Sequence, residues 1–218
     1  MKIAVLGTGN VGQTLGTKLV AEGHEVMLGS RTADNSNAAE WAAANGDAAS
    51  HGTFADAADF GEMAFLCTNG MGTVAAVKAA GAGNLDGKIL IDLTNPLDFS
   101  GGMPPTLFAG NTDSLGEQVQ AAVPGAKVVK SLNTISSPLM VNPGSLPGDH
   151  TIFVCGNDPE AKAQVSKWLG EWFGWEPGNI LDLGDITTSR GTESYLALWI
   201  RMMLAIGGAN FNIHVVRG

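Results

Sequence analysis

The chain has 218 residues, 44% of them hydrophobic, and 30 glycines, enough to bury one good core with at most a small appendage. Twelve Lys and Arg stand against 21 Asp and Glu, a formal charge of −9. Such a surface is a poor general ligand for DNA or RNA phosphates, so an anionic ligand must be held by local devices.

Lys2–Leu6 is a short apolar run ending in glycine, the pattern of a buried parallel strand. No basic and apolar leader precedes it, and no stretch approaches the roughly 18 apolar residues of a membrane span. A soluble, cytoplasmic protein without membrane contact is expected. From Val11 to Glu22 the period changes: Val11, Leu15 and Leu19 recur at helical spacing, while Gly12 and Gly16 let the helix lie close to a sheet. Gly23 stops this helix, and Val26–Leu28 forms strand two. An Ala-rich stretch follows, with a helix over Ala38–Asn45.

Met63–Cys67 is the next buried strand, leading through Thr68-Asn69-Gly70 to a helix around Val74–Ala80. Lys88–Leu93 is another strand, Leu97–Thr112 a long loop, Ser114–Ala122 a short helix and Lys127–Asn133 a further strand. Prolines 138, 143 and 147 mark an irregular segment. Strand Thr151–Cys155, helix Pro159–Phe173, strand Asn179–Leu183 and a long apolar helix from about Thr188 to Ile206 complete the chain. Cys67 and Cys155 both lie in apolar runs and read as buried, reduced thiols, with no metal-ligand spacing around either. Alternating strand and helix predict an α/β fold with a mainly parallel, doubly wound sheet. We expect a dinucleotide-binding Rossmann domain over residues 1–136. Residues 137–218 would form a small C-terminal α/β extension that packs on it and completes an acceptor pocket.

Gly7-Thr8-Gly9-Asn10-Val11-Gly12 matches G-x-G-x-x-G, a weak signal in so glycine-rich a chain until its context is added. Here it follows a strand and opens a helix. Gly7 makes the tight turn, Gly9 admits the pyrophosphate to the backbone, and Gly12 lets helix and strand pack. The N–H groups of Thr8 to Val11 and the helix dipole then receive the anion. At the end of strand two, where NAD enzymes place a carboxylate for the ribose hydroxyls, the chain has Gly29-Ser30-Arg31-Thr32. No carboxylate repels a 2′-phosphate there, and Ser30 and Arg31 can donate to it, which favours NADP.

The single tyrosine, Tyr195, has no lysine four residues on, and none of the four histidines pairs with an acid. Lys130 reads as a strand-edge lysine. No general acid–base pair for carbonyl reduction is visible. Hydride transfer between two redox rings needs only their alignment and the exclusion of water.

Gly7–Gly12, Gly29-Ser30-Arg31, Val128–Ser136 and Phe153–Asp158 together resemble the NADPH-dependent deazaflavin reductases, which pass hydride between NADP and coenzyme F(420). The same segments are similar to the cytosolic reductase domain of the six-transmembrane metalloreductases, which pair NADPH with a flavin. Asn133 is the metalloreductase-like residue at its position. The resemblance implies that Thr8, Asn10 and Val11 cradle the pyrophosphate while Ser30 and Arg31 hold the 2′-phosphate. It also implies Thr68, Asn69, Asn95 and Pro96 beside the nicotinamide, Asn133 and Ile135 flanking the second ring, and Met203–Gly208 as an apolar wall over it. The expected function is therefore an NADP-dependent oxidoreductase passing hydride to F(420) or a flavin, with a small-molecule acceptor as partner and no metal. A homodimer is left open. The alternatives are an NADP-dependent reductase of a small carbonyl or imine, and a non-catalytic NADP-binding redox sensor.

Overall fold

The computed structural model describes residues 1–218. The chain opens with β1 (Lys2–Leu6), α1 (Asn10–Ala21), β2 (Glu25–Ser30), α2 (Ser36–Asn45), β3 (Ala49–Thr53), α3 (Phe54–Phe60) and β4 (Met63–Leu66). It continues with α4 (Thr73–Ala80), α5 (Ala82–Leu85), β5 (Ile89–Asp92), β6 (Leu97–Asp98), β7 (Thr106–Leu107), α6 (Leu115–Ala122) and β8 (Lys127–Ser131). The last part holds α7 (Ser137–Val141), β9 (Ile152–Gly156), α8 (Pro159–Phe173), β10 (Ile180–Asp182), α9 (Ser189–Ser194) and α10 (Leu196–Ile206).

Eight strands form one sheet in the order β10-β9-β8-β5-β4-β1-β2-β3, while β6 and β7 make a separate two-stranded ribbon. All pairings in the large sheet are parallel except β8 with β9. This is the doubly wound Rossmann-type α/β fold. Its central strands read as unbroken apolar runs because both faces are covered. One apolar cluster joins the sheet to α1, α2, α7 and α8, and a second joins it to α3, α4, α5 and α6. Residues after 136 extend this same sheet through β9 and β10, and α8 packs into the first cluster.

Several features differ from the sequence pattern: the expected long loop Leu97–Thr112 contains the β6–β7 ribbon, and helix α7 lies in the proline-marked segment. Ala-Ser-His-Gly-Thr, with no apolar run, forms the edge strand β3, since pairing with β2 alone satisfies its backbone. Helix α3 follows at once. Its start was legible as a capping box, in which the Thr53 side chain accepts from the Asp56 N–H and the Asp56 carboxylate accepts from the Thr53 N–H. The apolar stretch from Thr188 to Ile206 is not one helix: a turn at Tyr195 separates α9 from α10.

The reading of Lys130 as a strand-edge lysine is corrected. β8 lies between β5 and β9, and the Lys130 side chain is completely buried. Its Nζ donates to Asp92 Oδ2 at 2.9 Å and lies 2.8 Å from Glu193 Oε1, both carboxylates equally buried. Burial alone would lower the lysine pKa, but Asp92 and Glu193 outweigh it and raise it, so the ammonium is retained. Lys130→Ala should therefore leave two buried carboxylates without their cation and destabilise the fold by about 3–5 kcal/mol. A fall in Tm of several degrees in thermal unfolding checks this; an unchanged Tm would mean that the carboxylates are neutralised some other way.

Candidate active site

The fingerprint loop lies between β1 and α1, and its three glycines meet three different surroundings. Gly7 has φ of 136°, and a Cβ there would lie 2.6 Å from the Cys67 carbonyl oxygen. A Cβ on Gly12 would lie 2.2 Å from the Gly7 carbonyl oxygen. At Gly9 a Cβ would meet nothing within 4 Å. Gly7 and Gly12 thus serve the turn and the packing, whereas Gly9 faces open space of the kind that a pyrophosphate fills. Gly9 caps α1 without any side-chain hydrogen bond, and the first turn carries no acid, so its N–H groups stay free for an anion. The residues present fit a dinucleotide.

Asn10, by contrast, is engaged: its Nδ2 donates to Ser137 Oγ at 2.7 Å, tying the fingerprint to the segment after β8. Nothing in the sequence marked Ser137. Gln13 steadies the loop from the next turn, donating to the Thr8 carbonyl at 3.0 Å. Val11 packs against the first apolar cluster.

Ser30, the last residue of β2, is buried, and its hydroxyl donates to the Thr32 carbonyl while accepting from the Thr32 N–H. It therefore shapes the loop as well as facing it. Arg31 is exposed and forms no ion pair. His51, on the neighbouring β3, lies with Nδ1 3.1 Å from the Ala33 carbonyl oxygen and underlies the same loop. No carboxylate from Gly29 to Ala33 opposes a phosphate beside Arg31.

The remaining predicted residues gather at the carboxyl ends of β4, β5 and β8. Thr68 Oγ1 and Thr73 Oγ1 are 3.0 Å apart, and Asn69 Oδ1 accepts from the Met71 N–H at 3.1 Å, which fixes the loop after β4. That loop touches the next one at Gly70, where a Cβ would lie 2.0 Å from the Asn95 carbonyl oxygen. Asn95 in turn donates to the Asn133 carbonyl at 2.8 Å, and Asn133 donates back to Asn95 Oδ1 at 3.0 Å. This reciprocal clasp joins the loops after β5 and β8. Leu132, just before it, has φ of 62°, a left-handed conformation that costs a branched residue about 1–2 kcal/mol. Its burial in the core holds it there and aims Asn133 at Asn95. Pro96 and Ile135 are buried, Ile135 within the first apolar cluster.

The carboxylate cluster stands directly beneath the clasp. Asp92 Oδ1 accepts from both the N–H and the hydroxyl of Thr94, at 2.8 and 2.7 Å, so it holds the first turn of the loop that carries Asn95. Glu193 accepts from the N–H groups of Leu115 and Gly116 at the start of α6, at 2.7 and 2.9 Å. Neither acid was singled out in the sequence. A signal was present, since Asp92 and Lys130 interrupt apolar strand runs where an unpaired charge is untenable. Of the two thiols expected to be buried, Cys155 is buried and Cys67 is half-buried. Burial pushes Cys67 well above the usual thiol range and Cys155 up to about 11.

Comparison with known proteins gives a consistent picture. Residues 2–96 match the family described as NADP oxidoreductase coenzyme F420-dependent. The F420-dependent NADP reductase of Methanocaldococcus jannaschii is 30% identical over 210 residues, covering 92% of this chain and 91% of that one. The metalloreductase STEAP3 of Rattus norvegicus is 28% identical over 216 residues, but this chain spans only 39% of its length. A crystal structure from Arthrobacter sp. FB24, assigned by name as an F420-dependent NADP-reductase, is 49% identical, covers both chains completely and superposes with a TM-score of 0.93. An imine reductase of Streptomyces aurantiacus shares the fold, at 19% identity and a TM-score of 0.65 over 94% of this chain and 64% of that one. No helix is long and apolar enough to cross a membrane. On the shared sequence, the shared fold and a fingerprint loop shaped for a dinucleotide, this chain is an NADP-dependent oxidoreductase and belongs to the F(420)-dependent NADP reductase family.

Proposed function

We propose that the chain passes hydride between NADPH and a ring acceptor, a deazaflavin such as F(420) or a flavin. The pyrophosphate would lie at Gly7–Gly12 and the 2′-phosphate at Ser30 and Arg31. The nicotinamide would lie beside Thr68, Asn69, Asn95 and Pro96. Residues 137–218 then act as an extension that completes the acceptor side around Asn133 and Ile135.

The observation that carries this reading is what stands at the strand ends. They present amides and hydroxyls, while the charged groups near them are already committed: Lys130, Asp92 and Glu193 are fully buried and bound to one another. Reducing a carbonyl or imine calls for a group that delivers a proton at the reacting atom. Bound NADPH supplies a hydride, two electrons with one proton, and a ring acceptor takes it together with a further proton from water. This chain's residues bind and orient. The clasp of Asn95 and Asn133 sets the distance between the loops after β5 and β8, and the buried Leu132 and Ile135 exclude water behind it. The acceptor is a small molecule, and the acidic surface disfavours nucleic acid.

Three measurements test the assignment. Gly9→Val should abolish NADPH binding in a titration while thermal unfolding stays near that of the wild type, because the added side chain enters the open space above α1. Arg31→Glu should weaken NADPH by about ten- to a hundredfold and NADH far less, since it removes a charge-assisted phosphate contact. A wild type that binds NADH as tightly as NADPH would remove the Ser30 and Arg31 assignment. In an acceptor screen, NADPH deuterated at its transferable position should deliver label to F(420) or oxidised flavin. Turnover confined to small carbonyls or imines would replace this reading with the carbonyl-reductase one, and NADPH binding without turnover would favour a sensor.

A further inference from the structure

Helix α10 is strongly apolar yet poorly packed. Only Leu196 and Ile200 are buried, while Leu198, Leu204 and Ile206 are 56%, 50% and 61% exposed. Core packing alone does not place such a helix. It is tied to the rest of the chain through α9 at its start and through the tail, on whose Phe211 ring Trp199 stacks at 5.3 Å.

At the start, α9 is pinned to the beginning of α6. A Cβ on Gly116 would lie 2.8 Å from Ser189 Oγ, so the two helices meet closely where glycine leaves room. The hydroxyls of Ser114 and Ser189 are 2.7 Å apart, and Arg190 donates to Glu117 from the rim. In the centre, the Glu193 carboxylate accepts from Leu115, from Gly116 and from Lys130, with the Asp92 carboxylate bound to the same ammonium. Three donors and the positive end of α6 suit an ionised carboxylate. Burial acts the other way and pushes Glu193 up; the lysine pulls it back, the neighbouring Asp92 carboxylate pushes it up again, and the backbone N–H of Leu115 pulls it down. Two residues later the chain passes through Tyr195, in a right-handed helical conformation, into α10.

At the far end, Gly207 closes α10 in a left-handed conformation and the tail returns to Thr151, whose N–H donates to the Ile213 carbonyl at 2.8 Å. Thr151 precedes β9, and β9 runs antiparallel to β8 with Val154 opposite Ser131. The tail therefore arrives at the end of the sheet where Asn133 sits. An eleven-residue helix is about 16 Å long, enough to lie across those strand ends from the start of α6 to β9.

We propose that Glu193 is a positioning residue for the acceptor: through Lys130 and the start of α6 it holds α10 over the strand ends, and so sets the acceptor side of the cleft and not the NADP side. A buried ion cluster adds little net stability over well-packed apolar side chains, but it is directional, and direction is what α10 lacks from its own packing. Asp92, the other partner of Lys130, keeps its own hydrogen bonds to Thr94 and so continues to hold the Asn95 loop when Glu193 alone is changed. The inference rests on the acceptor reading above, and its test separates the two.

In Glu193→Gln the side chain keeps its shape but must turn an amide donor toward a ring of donors. The Michaelis constant for F(420) or flavin should rise by about tenfold, with kcat within about threefold and NADPH dissociation within about twofold of the wild type. Hydrogen exchange at the α10 amides should accelerate while exchange in α1 stays unchanged, a readout that needs no acceptor and stands even if F(420) and flavin are not turned over. Arg190→Gln breaks the rim contact between the same helices and should alter neither quantity. If Glu193→Gln does not fold, Glu193→Asp, which keeps the charge but shortens the reach, should show the same split at smaller amplitude. Unchanged α10 exchange in the folded variant, a parallel loss of NADPH affinity, or the same effects from Arg190→Gln would overturn the proposal.

Discussion

One buried lysine organises the strand ends of this molecule. Lys130 sits in the interior of a sheet whose neighbouring strands are apolar, and it is tolerable there only because Asp92 and Glu193 reach it from β5 and α9. The consequence is geometric before it is energetic. Asp92 also accepts from Thr94, and Glu193 also accepts from the first N–H groups of α6, so a single cation joins a strand, a loop and two helices. Shifting any one of them would strip a buried charge of a partner. Parallel strands do not by themselves determine how the loops at their carboxyl ends lie, and here that is settled by this cluster and the Asn95–Asn133 clasp above it.

The other end of the site works on the opposite principle. Around the fingerprint an anion would be met by backbone dipoles and open space, with no acid in the first turn of α1 and no Cβ at Gly9. An acidic chain can hold a phosphorylated cofactor in this way because helix N–H groups do not depend on net charge, and a single exposed Arg31 stands where a 2′-phosphate would add one more anion. The cleft thus divides into an end of free donors and an end of spent charges.

The irregular parts tie distant segments of the chain together. Ser137 comes from the proline-marked segment, yet it receives the Asn10 amide and so ties the start of α1 to the segment after β8. β9 reverses direction beside β8 and brings the C-terminal tail back to the strand ends. Helix α9 docks on the start of α6, and α10 continues from it through Tyr195 with much of its apolar surface exposed.

Much of this was legible in the sequence. The β1–α1–β2 opening, the roles of its three glycines and the absence of a carboxylate after β2 follow from local chemistry: hydrogen-bond geometry, the lack of a Cβ and charge type act within a few residues. β3 was not legible, because an edge strand of polar residues has no apolar period to betray it. Nor was the division at Tyr195, where the backbone angles themselves stay helical and the sequence pattern continues on both sides. Lys130 shows the division most sharply. The sequence displayed a charge in an apolar run and an acid in another, but their meeting requires β5 and β8 to be neighbours, and the third partner lies sixty-three residues beyond Lys130. Local chemistry marked the dinucleotide fingerprint; only the tertiary structure, by bringing distant charges into a space without water, decided how the loops after β5 and β8 are held.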